Sequence, residues 1–354
     1  IRYFINTNLL QKMKNKPNYN FWTIVQQRAA KEGRPVVVLA PMADVTDVVF
    51  RTMISKYSRT GEANGGPDVM WTEFVAADGL NSPGREVLKR DLEYGELERP
   101  IVAQLFSSNP DNMREAVKIC KELGFDGVDI NMGCPVDIIN KQGAGAALIK
   151  TPELAVQVIK AAQEAAGDMP VSVKTRIGYN KIEYKEWLRH ILECNVPVLT
   201  IHLRTKKEMS EVPAHWELYK EIKEFCKSIA PETFIIGNGD IKNLNEVKEK
   251  HDNPDIEAEG VMIGRGIFGR PWGFDWGAVE PDLKYKLQVM LEHTKLYEEK
   301  LGDIKSFSIM KKHYKAYVNG FSGAKELREK LFECKDYQEV LKCTNEFLSQ
   351  METK

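Results

Sequence analysis

None of the six cysteines stands in a Cys-x-x-Cys pair or at zinc-ligand spacing. Cys120, Cys134, Cys194, Cys226, Cys334 and Cys343 are scattered over 354 residues. That excludes a disulfide-stapled scaffold and a zinc module, so reduced thiols and no metal are expected. Excess charge is also missing. A net charge of -1 gives no global attraction to nucleic acid or membrane, so any RNA contact must be a local basic patch. No apolar run approaches the ~20 residues that span a bilayer. The chain opens Ile1-Arg2-Tyr3-Phe4-Ile5, with neither a signal-peptide pattern nor a Met. A cytoplasmic protein is expected, with residues upstream of Ile1. The dinucleotide fingerprint is absent as well. The first strand-like run is followed by Ala40-Pro41-Met42-Ala43-Asp44, which weighs against a doubly wound sheet. The nearest glycine cluster, Gly143-Ala144-Gly145, follows a loop and lacks the third glycine.

What is present is alternation. Apolar runs at Val36–Leu39, Val69–Thr72, Ile101–Leu105, Gly127–Ile130, Val171–Lys174, Val198–His202, Phe234–Ile236 and Gly260–Ile263 read as strands. Helical patterns lie between them, at Asn112–Leu123, Pro152–Ala166, Tyr184–Cys194, Trp216–Ile229 and Leu244–Lys250. Thr151 is the expected N-cap of the second of these, with Pro152 in its first turn. Eight such repeats over about 250 residues predict a (β/α)8 TIM barrel. From Pro281 onward only helical patterns occur, broken near Gly302 and Gly320 to Gly323. The expected organisation is a lead-in over 1–35, a barrel over 36–280 and a small all-helical domain over 281–354. Within the lead-in, Asn20–Lys31 reads as an amphipathic helix closing the barrel bottom, and the residues before it are expected to be weakly ordered.

Barrel chemistry sits at the carboxyl ends of strands, and there the polar residues gather. Gln104, Asn131 with Cys134, Lys174 with Arg176, and His202 with Arg204 follow successive runs. The last two loops, Gly237-Asn238-Gly239-Asp240 and Gly264-Arg265-Gly266, read as a phosphate cradle. Glycines let N–H groups approach the oxygens, and an arginine adds charge-assisted bonds. An apolar strand ending in Lys174 can set a cation beside the N1/O2 edge of an isoalloxazine, with His202 assisting and Gln104 on the pyrimidine edge. The bland reading is a solvated lysine and a structural histidine; the shared register favours the flavin. Cys134 ends Asp129-Ile130-Asn131-Met132-Gly133-Cys134-Pro135. It can be a thiolate nucleophile, a buried structural thiol, or a general acid that stays protonated at a pKa near ~8.5. Gly133 and Pro135 hold it in a loop, unlike the other five. Val136–Gly145 beyond it reads as a mobile loop. In the tail, Lys311, Lys312 and Lys315, with Tyr314, Tyr317 and Arg328, read as a solvated face or as an RNA contact.

These residues resemble a known family. Ala40-Pro41-Met42-Ala43-Asp44, Thr72-Glu73, the Asn131–Pro135 run, Lys174-Thr175-Arg176, His202 with Arg204-Thr205, Gly237–Asp240 and Met262–Gly266 occur in the order found in dihydrouridine synthases. Lys312-His313, Gly323 and Arg328 extend the likeness into the tail. The resemblance implies an FMN barrel with a helical RNA-binding domain that reduces the C5=C6 bond of uridines in tRNA, with NADPH as reductant. It places Pro41 and Met42 along the flavin, and Gln104, Lys174 and His202 on its ring. Asn238, Gly239, Asp240, Gly264 and Arg265 are placed at its phosphate. Cys134 becomes the acid for C5, and Asn131, Arg176 and Arg204 lie near flavin and uracil. Lys311, Lys312, Lys315 and Arg328 become tRNA contacts, and a monomer is expected. The chain departs from the family at Met209–Trp216, where Tyr and Gly are missing and His215 replaces an Asp. Thr60–Pro67 reads as a small insertion. The alternatives are a flavin barrel of the dihydroorotate-dehydrogenase type acting on a free pyrimidine, an aldolase using Lys174, and an RNA-binding protein without catalysis.

Overall fold

Eight apolar runs become parallel strands because both of their faces are covered, one by helices and one by the barrel interior. The computed structural model describes residues 20–352; the expectation for the residues before Asn20 lies outside these. The strands are β1 (Val36–Leu39), β2 (Met70–Ala76), β3 (Ile101–Phe106), β4 (Gly127–Met132), β5 (Val171–Arg176), β6 (Val198–His202), β7 (Phe234–Asn238) and β8 (Gly260–Ile263). All neighbours pair in parallel, in the order β1-β8-β7-β6-β5-β4-β3-β2. A single bridge between Val38 and Val69 closes the ring, with Leu39 N–H donating to the Val69 carbonyl at 3.1 Å. This is the expected TIM barrel.

Strand period 2 divides the interior by height. Val36, Val38, Trp71, Val102, Val198, Phe234, Ile236 and Met262 form one buried apolar cluster inside the barrel. Phe21 and Trp22 join it from the helix Phe21–Lys31, capped by Asn20, whose Oδ1 accepts from Trp22 N–H at 3.0 Å. That helix closes the amino end, as expected. Positions of the same parity nearer the carboxyl end are polar: Gln104, Asn131, Lys174, His202 and Asn238.

Several strands run further than their apolar cores. β4 continues through Asn131 and Met132, β5 through Arg176 and β7 through Asn238. The cause is pairing register. Asn131 pairs with Lys174, and Arg176, His202 and Asn238 lie side by side. The polar side chains are therefore mounted on hydrogen-bonded strands rather than on loops. Thr151 does precede the helix Pro152–Ala166, but its side chain makes no cap bond; Pro152 at the first position has no N–H and starts the helix alone. Val136–Gly145, expected as a mobile loop, contains a short helix, Asp137–Lys141.

A helix the apolar pattern did not announce, Val48–Tyr57, joins barrel and tail. Asp47 caps it, accepting from Phe50 N–H at 2.9 Å. Its Val48, Val49 and Met53 share a buried cluster with Leu287, Tyr297, Met310 and Leu327. After β8 there are only helices among the described residues, chiefly Leu283–Leu301, Met310–Tyr317, Ala324–Glu333 and Tyr337–Glu352. None of the described helices is long and apolar enough to cross a membrane.

Candidate active site

The carboxyl end of the barrel holds a cleft of about 700 Å³. Pro41 and Met42 after β1 line one wall, and Lys174, His202 and Arg204 line the floor. Asn238, Gly239 and Asp240 after β7 meet Gly264, Arg265 and Gly266 after β8 on the far side. Eleven residues singled out from the sequence thus share one cavity. Gly239 sits at φ +134°, in a region closed to most side chains. A Cβ on Gly266 would lie 2.3 Å from the Ile241 carbonyl oxygen. Both loops need glycine to bring backbone this close.

The floor is cationic. Burial, then repulsion from Arg176, lowers the Lys174 ammonium to about 8. Its Nζ donates to Asn238 Oδ1 at 3.1 Å, and Asn238 Nδ2 donates to the Met262 carbonyl at 3.0 Å. Burial and the same cations hold His202 well below its ordinary pKa, so the ring is neutral. Arg204 Nη1 lies 3.0 Å from His202 Nε2. Because arginine only donates, His202 accepts there and carries its proton on Nδ1. Asp240 stays ionised: burial would raise it, but Arg204 and the Ala214 N–H hold it low. An anionic ligand would relieve the repulsion among Lys174, Arg176, Arg204 and Arg265. The donor set and the glycine cradle therefore fit a phosphate joined to a ring with an electron-rich edge.

Cys134 stands beside this cleft rather than in its lining. Its loop follows Asn131, the strand partner of Lys174. The thiol is 8% exposed and packs with Ile139 and Ala144 against Phe74 and Phe106. The loop placement is as expected, but the thiol is buried too, as the other cysteines are apart from half-buried Cys343. Burial pushes the Cys134 pKa up, outweighing Arg176 and Lys174. It is a protonated thiol at neutral pH, which suits a proton donor and not a resting thiolate.

Other candidates serve as framework. Gln104 is fully buried, bonded to Asp129 and Asn131. Arg176 Nε donates to the Gly133 carbonyl at 2.7 Å, and its Nη1 donates to the carbonyls of Thr205 and Met209 at 2.9 and 3.0 Å. Arg204 donates to the Val212 carbonyl at 2.6 Å and pairs with Asp240. Residues 205–215, which overlap the Met209–Trp216 stretch singled out from the sequence, thus form a strap held by both arginines. His215 fastens its base between Glu208 at 3.1 Å and Glu217 at 2.9 Å. The sequence marked this strap only by the Met209–Trp216 stretch and by two arginines, Arg176 at the end of β5 and Arg204 two residues past β6.

In the tail, Lys312 pairs with Asp44 at 3.3 Å, reaching back to the loop after β1. Arg328 Nη1 donates to the Val318 carbonyl at 2.6 Å, closing the end of Met310–Tyr317. Lys311 and exposed Lys315 have no ion-pair partner among the described residues.

The family model described as dihydrouridine synthase matches residues 38–352. The chain belongs to the dihydrouridine synthase family. A probable tRNA-dihydrouridine synthase of Staphylococcus aureus (strain MRSA252) is 40% identical over 339 residues, covering 94% of this chain and 97% of its own. Probable tRNA-dihydrouridine synthase 2 of Bacillus subtilis (strain 168) is 40% identical over 331 residues, covering 93% and 96%. Among solved structures, morphinone reductase is similar over 71% of this chain and 88% of its own, at 14% identity and a TM-score of 0.48. An old yellow enzyme from Trypanosoma cruzi matches 76% of this chain and 94% of its own, at 11% identity and a TM-score of 0.46. This dihydrouridine synthase thus carries its cleft and its thiol loop inside the matched region.

Proposed function

We propose that this dihydrouridine synthase reduces the C5=C6 bond of uridines in tRNA with FMN in the barrel cleft and Cys134 as general acid. The observation that carries the reading is a buried thiol, its pKa pushed up by that burial, one loop beyond the strand pair Asn131–Lys174 and beside a cleft lined by Lys174, Arg204 and Arg265. Gly239, Gly264 and Arg265 would hold the phosphate, and Lys174 and His202 the ring, while fully buried Gln104 is bonded to Asn131. Bound there, FMN supplies a hydride for C6 and is reloaded by NADPH. Lys174 stabilises negative charge at the ring edge, and His202 presents its Nδ1 proton. Cys134 Sγ gives its proton to C5, so one hydride and one proton saturate the double bond. The resulting thiolate is reprotonated from solvent. The uridine must leave its stack to enter, as base-modifying enzymes require.

Family membership and the cationic tail helix support tRNA over a free pyrimidine. The same reading entails a monomer, no resident metal and a cytoplasmic location. The deciding experiment is Cys134→Ala. It is expected to keep bound flavin and its bleaching by NADPH while uridine reduction falls by about 10²–10⁴-fold, the range for a lost general acid. Full activity in that variant overturns the assignment. A colourless protein that FMN cannot reconstitute overturns the cleft reading.

A further inference from the structure

A line of hydrogen bonds crosses β3, β4 and β5 and ends on the Cys134 turn. Asp129 is 0% exposed in the middle of β4. Its Oδ1 accepts from Ser172 Oγ at 2.6 Å, and its Oδ2 accepts from Gln104 Nε2 at 2.7 Å. Gln104 Oε1 accepts from Asn131 Nδ2 at 3.0 Å. Asn131 Oδ1 then accepts from the Gly133 N–H at 3.1 Å and the Cys134 N–H at 2.8 Å.

The line has a direction, and only its ends can set it. A carboxamide can be turned over, exchanging donor for acceptor at little cost in shape. An ionised carboxylate only accepts, and a backbone N–H only donates. If Gln104 were turned over, its oxygen would face the Asp129 carboxylate and its NH₂ would face that of Asn131. If Asn131 were turned over, its NH₂ would face two backbone N–H groups. The charge at one end therefore fixes Gln104 and the two N–H groups at the other fix Asn131, so the two amides agree only in this direction. Burial raises the Asp129 pKa to about 6, against bonds from Ser172 and Gln104 and the charge of Lys174, so the carboxylate is ionised at neutral pH.

We propose that Asp129 is a positioning residue for Cys134, orienting Gln104 so that it holds Asn131, whose Oδ1 clamps the two N–H groups of the thiol turn. The turn's carbonyls are held independently. Arg176 takes that of Gly133, while Ala146 N–H and Asn140 Nδ2 take that of Cys134. Asn131 is thus the shared anchor for the N–H side. A thiol that must protonate one carbon needs this fixed placement, since small displacements of a reacting group cost rate steeply. Only the turnover consequence rests on Cys134 being the acid; the clamp itself does not.

The test is a polarity swap. Asp129→Asn keeps the shape but removes the charge that fixes the direction. Its amide either sets NH₂ against the Gln104 NH₂ or turns over and donates to Ser172 Oγ, whose hydroxyl has the Val128 carbonyl at 3.3 Å to turn to. Asp129→Leu, which offers Gln104 no acceptor at all, is therefore measured beside it. When Gln104→Glu is combined with Asp129→Asn, donor and acceptor trade places. The new carboxamide on β4 would donate to the new carboxylate on β3, which still accepts from Asn131. The charge of the pair is unchanged. The rate of Cys134 alkylation, followed by peptide mass spectrometry on flavin-free protein, reads the turn without any turnover. Asp129→Leu is expected to speed alkylation about tenfold, the equivalent of one lost buried hydrogen bond, and the double variant to keep it near the parent rate. In flavin-loaded Asp129→Leu, kcat for uridine reduction falls while flavin reduction by NADPH does not. Unchanged alkylation in Asp129→Leu, or a double variant less protected than Asp129→Asn, overturns the proposal. If Asp129→Asn does not accumulate as folded protein, folded yield gives the same comparison: recovery in the double variant supports the polarity line, and no recovery overturns it. If alkylation follows the swap but uridine reduction ignores it, the clamp stands and the acid assignment of Cys134 fails.

Discussion

The rim of the barrel and the junction with the tail both bury polar side chains, and they satisfy them differently. At the rim, Asp129, Gln104, Asn131, Arg176 and Arg204 are joined through bonds of 2.6 to 3.1 Å. At the junction, both nitrogens of His313 and Nε2 of His293 are buried without a hydrogen-bond partner. The two rings pack edge to face at 4.6 Å, with Phe50 5.4 Å from His313. The junction's buried ionic tie is a single lysine. Lys305 reaches Glu73 on β2 at 2.5 Å and Asp91 at 3.0 Å. Fully bonded networks fix the direction of every member. Neutral rings among aromatics hold two bodies together without fixing a polar direction. The first arrangement suits a reacting thiol, the second a docked helical tail.

The sharpest way to break the contrast is to remove that tie. Lys305→Met leaves Glu73 in a buried position, with only the Asp44 N–H against its other oxygen. Deleting one partner of a buried ion pair costs about 3–5 kcal/mol, to be read from denaturant unfolding. Adding Glu73→Gln is expected to recover much of that loss, because the stranded charge is then gone. A Lys305→Met variant as stable as the parent would show that the junction rests on its aromatic packing alone.

Acid probes the histidines. Burial holds His313 at about 3, against an unfolded value of 6.5. The folded state therefore stays neutral while the unfolded state takes up a proton as the pH falls below 6.5. Stability supplied by the neutral ring is complete above that value and drains away towards pH 3, at about 1.4 kcal/mol per pH unit for one group. Asp47, raised to about 7 by burial and by Glu73, works in the opposite sense over the same range. The parent's own pH slope is thus a balance of opposing effects, to which buried His293, His202 and Asp129 add theirs. His313→Leu isolates one of them: relative to the parent it is expected to gain stability progressively from pH 6.5 to 4.5. Parallel pH curves for the two proteins would mean that His313 is hydrated or paired.

Legibility in the sequence followed the same contrast. All eight strands and the glycine loops were readable, because apolar runs and glycines act locally. The strand ends were read short, since Asn131, Arg176 and Asn238 look like loop residues until their lateral partners are known. Val48–Tyr57 opens Val-Val-Phe, a β-branched and aromatic start that reads as a strand. Lys305 and Glu73 are 232 positions apart, beyond any local pattern. Arg176 and Arg204 were read from the sequence as ligand contacts at strand ends. Their guanidinium groups hold strap carbonyls whose position no side-chain pattern reveals. Asp129 carried a signal that could have been used: it shares strand parity with Asn131 and so faces inward.

The smallest expected effect concerns the tail's outer surface. Lys312 is paired with Asp44 and Arg328 with a backbone carbonyl, which leaves Lys311 and Lys315, one helical turn apart, for an outside partner. If they meet tRNA phosphates, Lys311→Glu with Lys315→Glu weakens tRNA binding across all sequences and lowers the slope of log K against log salt by about two, one per lost contact. NADPH oxidation by the flavin is unaffected, because neither lysine approaches the cleft. Lys312→Ala is the control that separates surface from framework. It should leave the salt slope unchanged and cost at most about 1 kcal/mol of stability, as a half-exposed pair does. A salt slope that falls with Lys312→Ala but not with the double charge reversal would move the tRNA contact from the tail's outer face to the seam between tail and barrel.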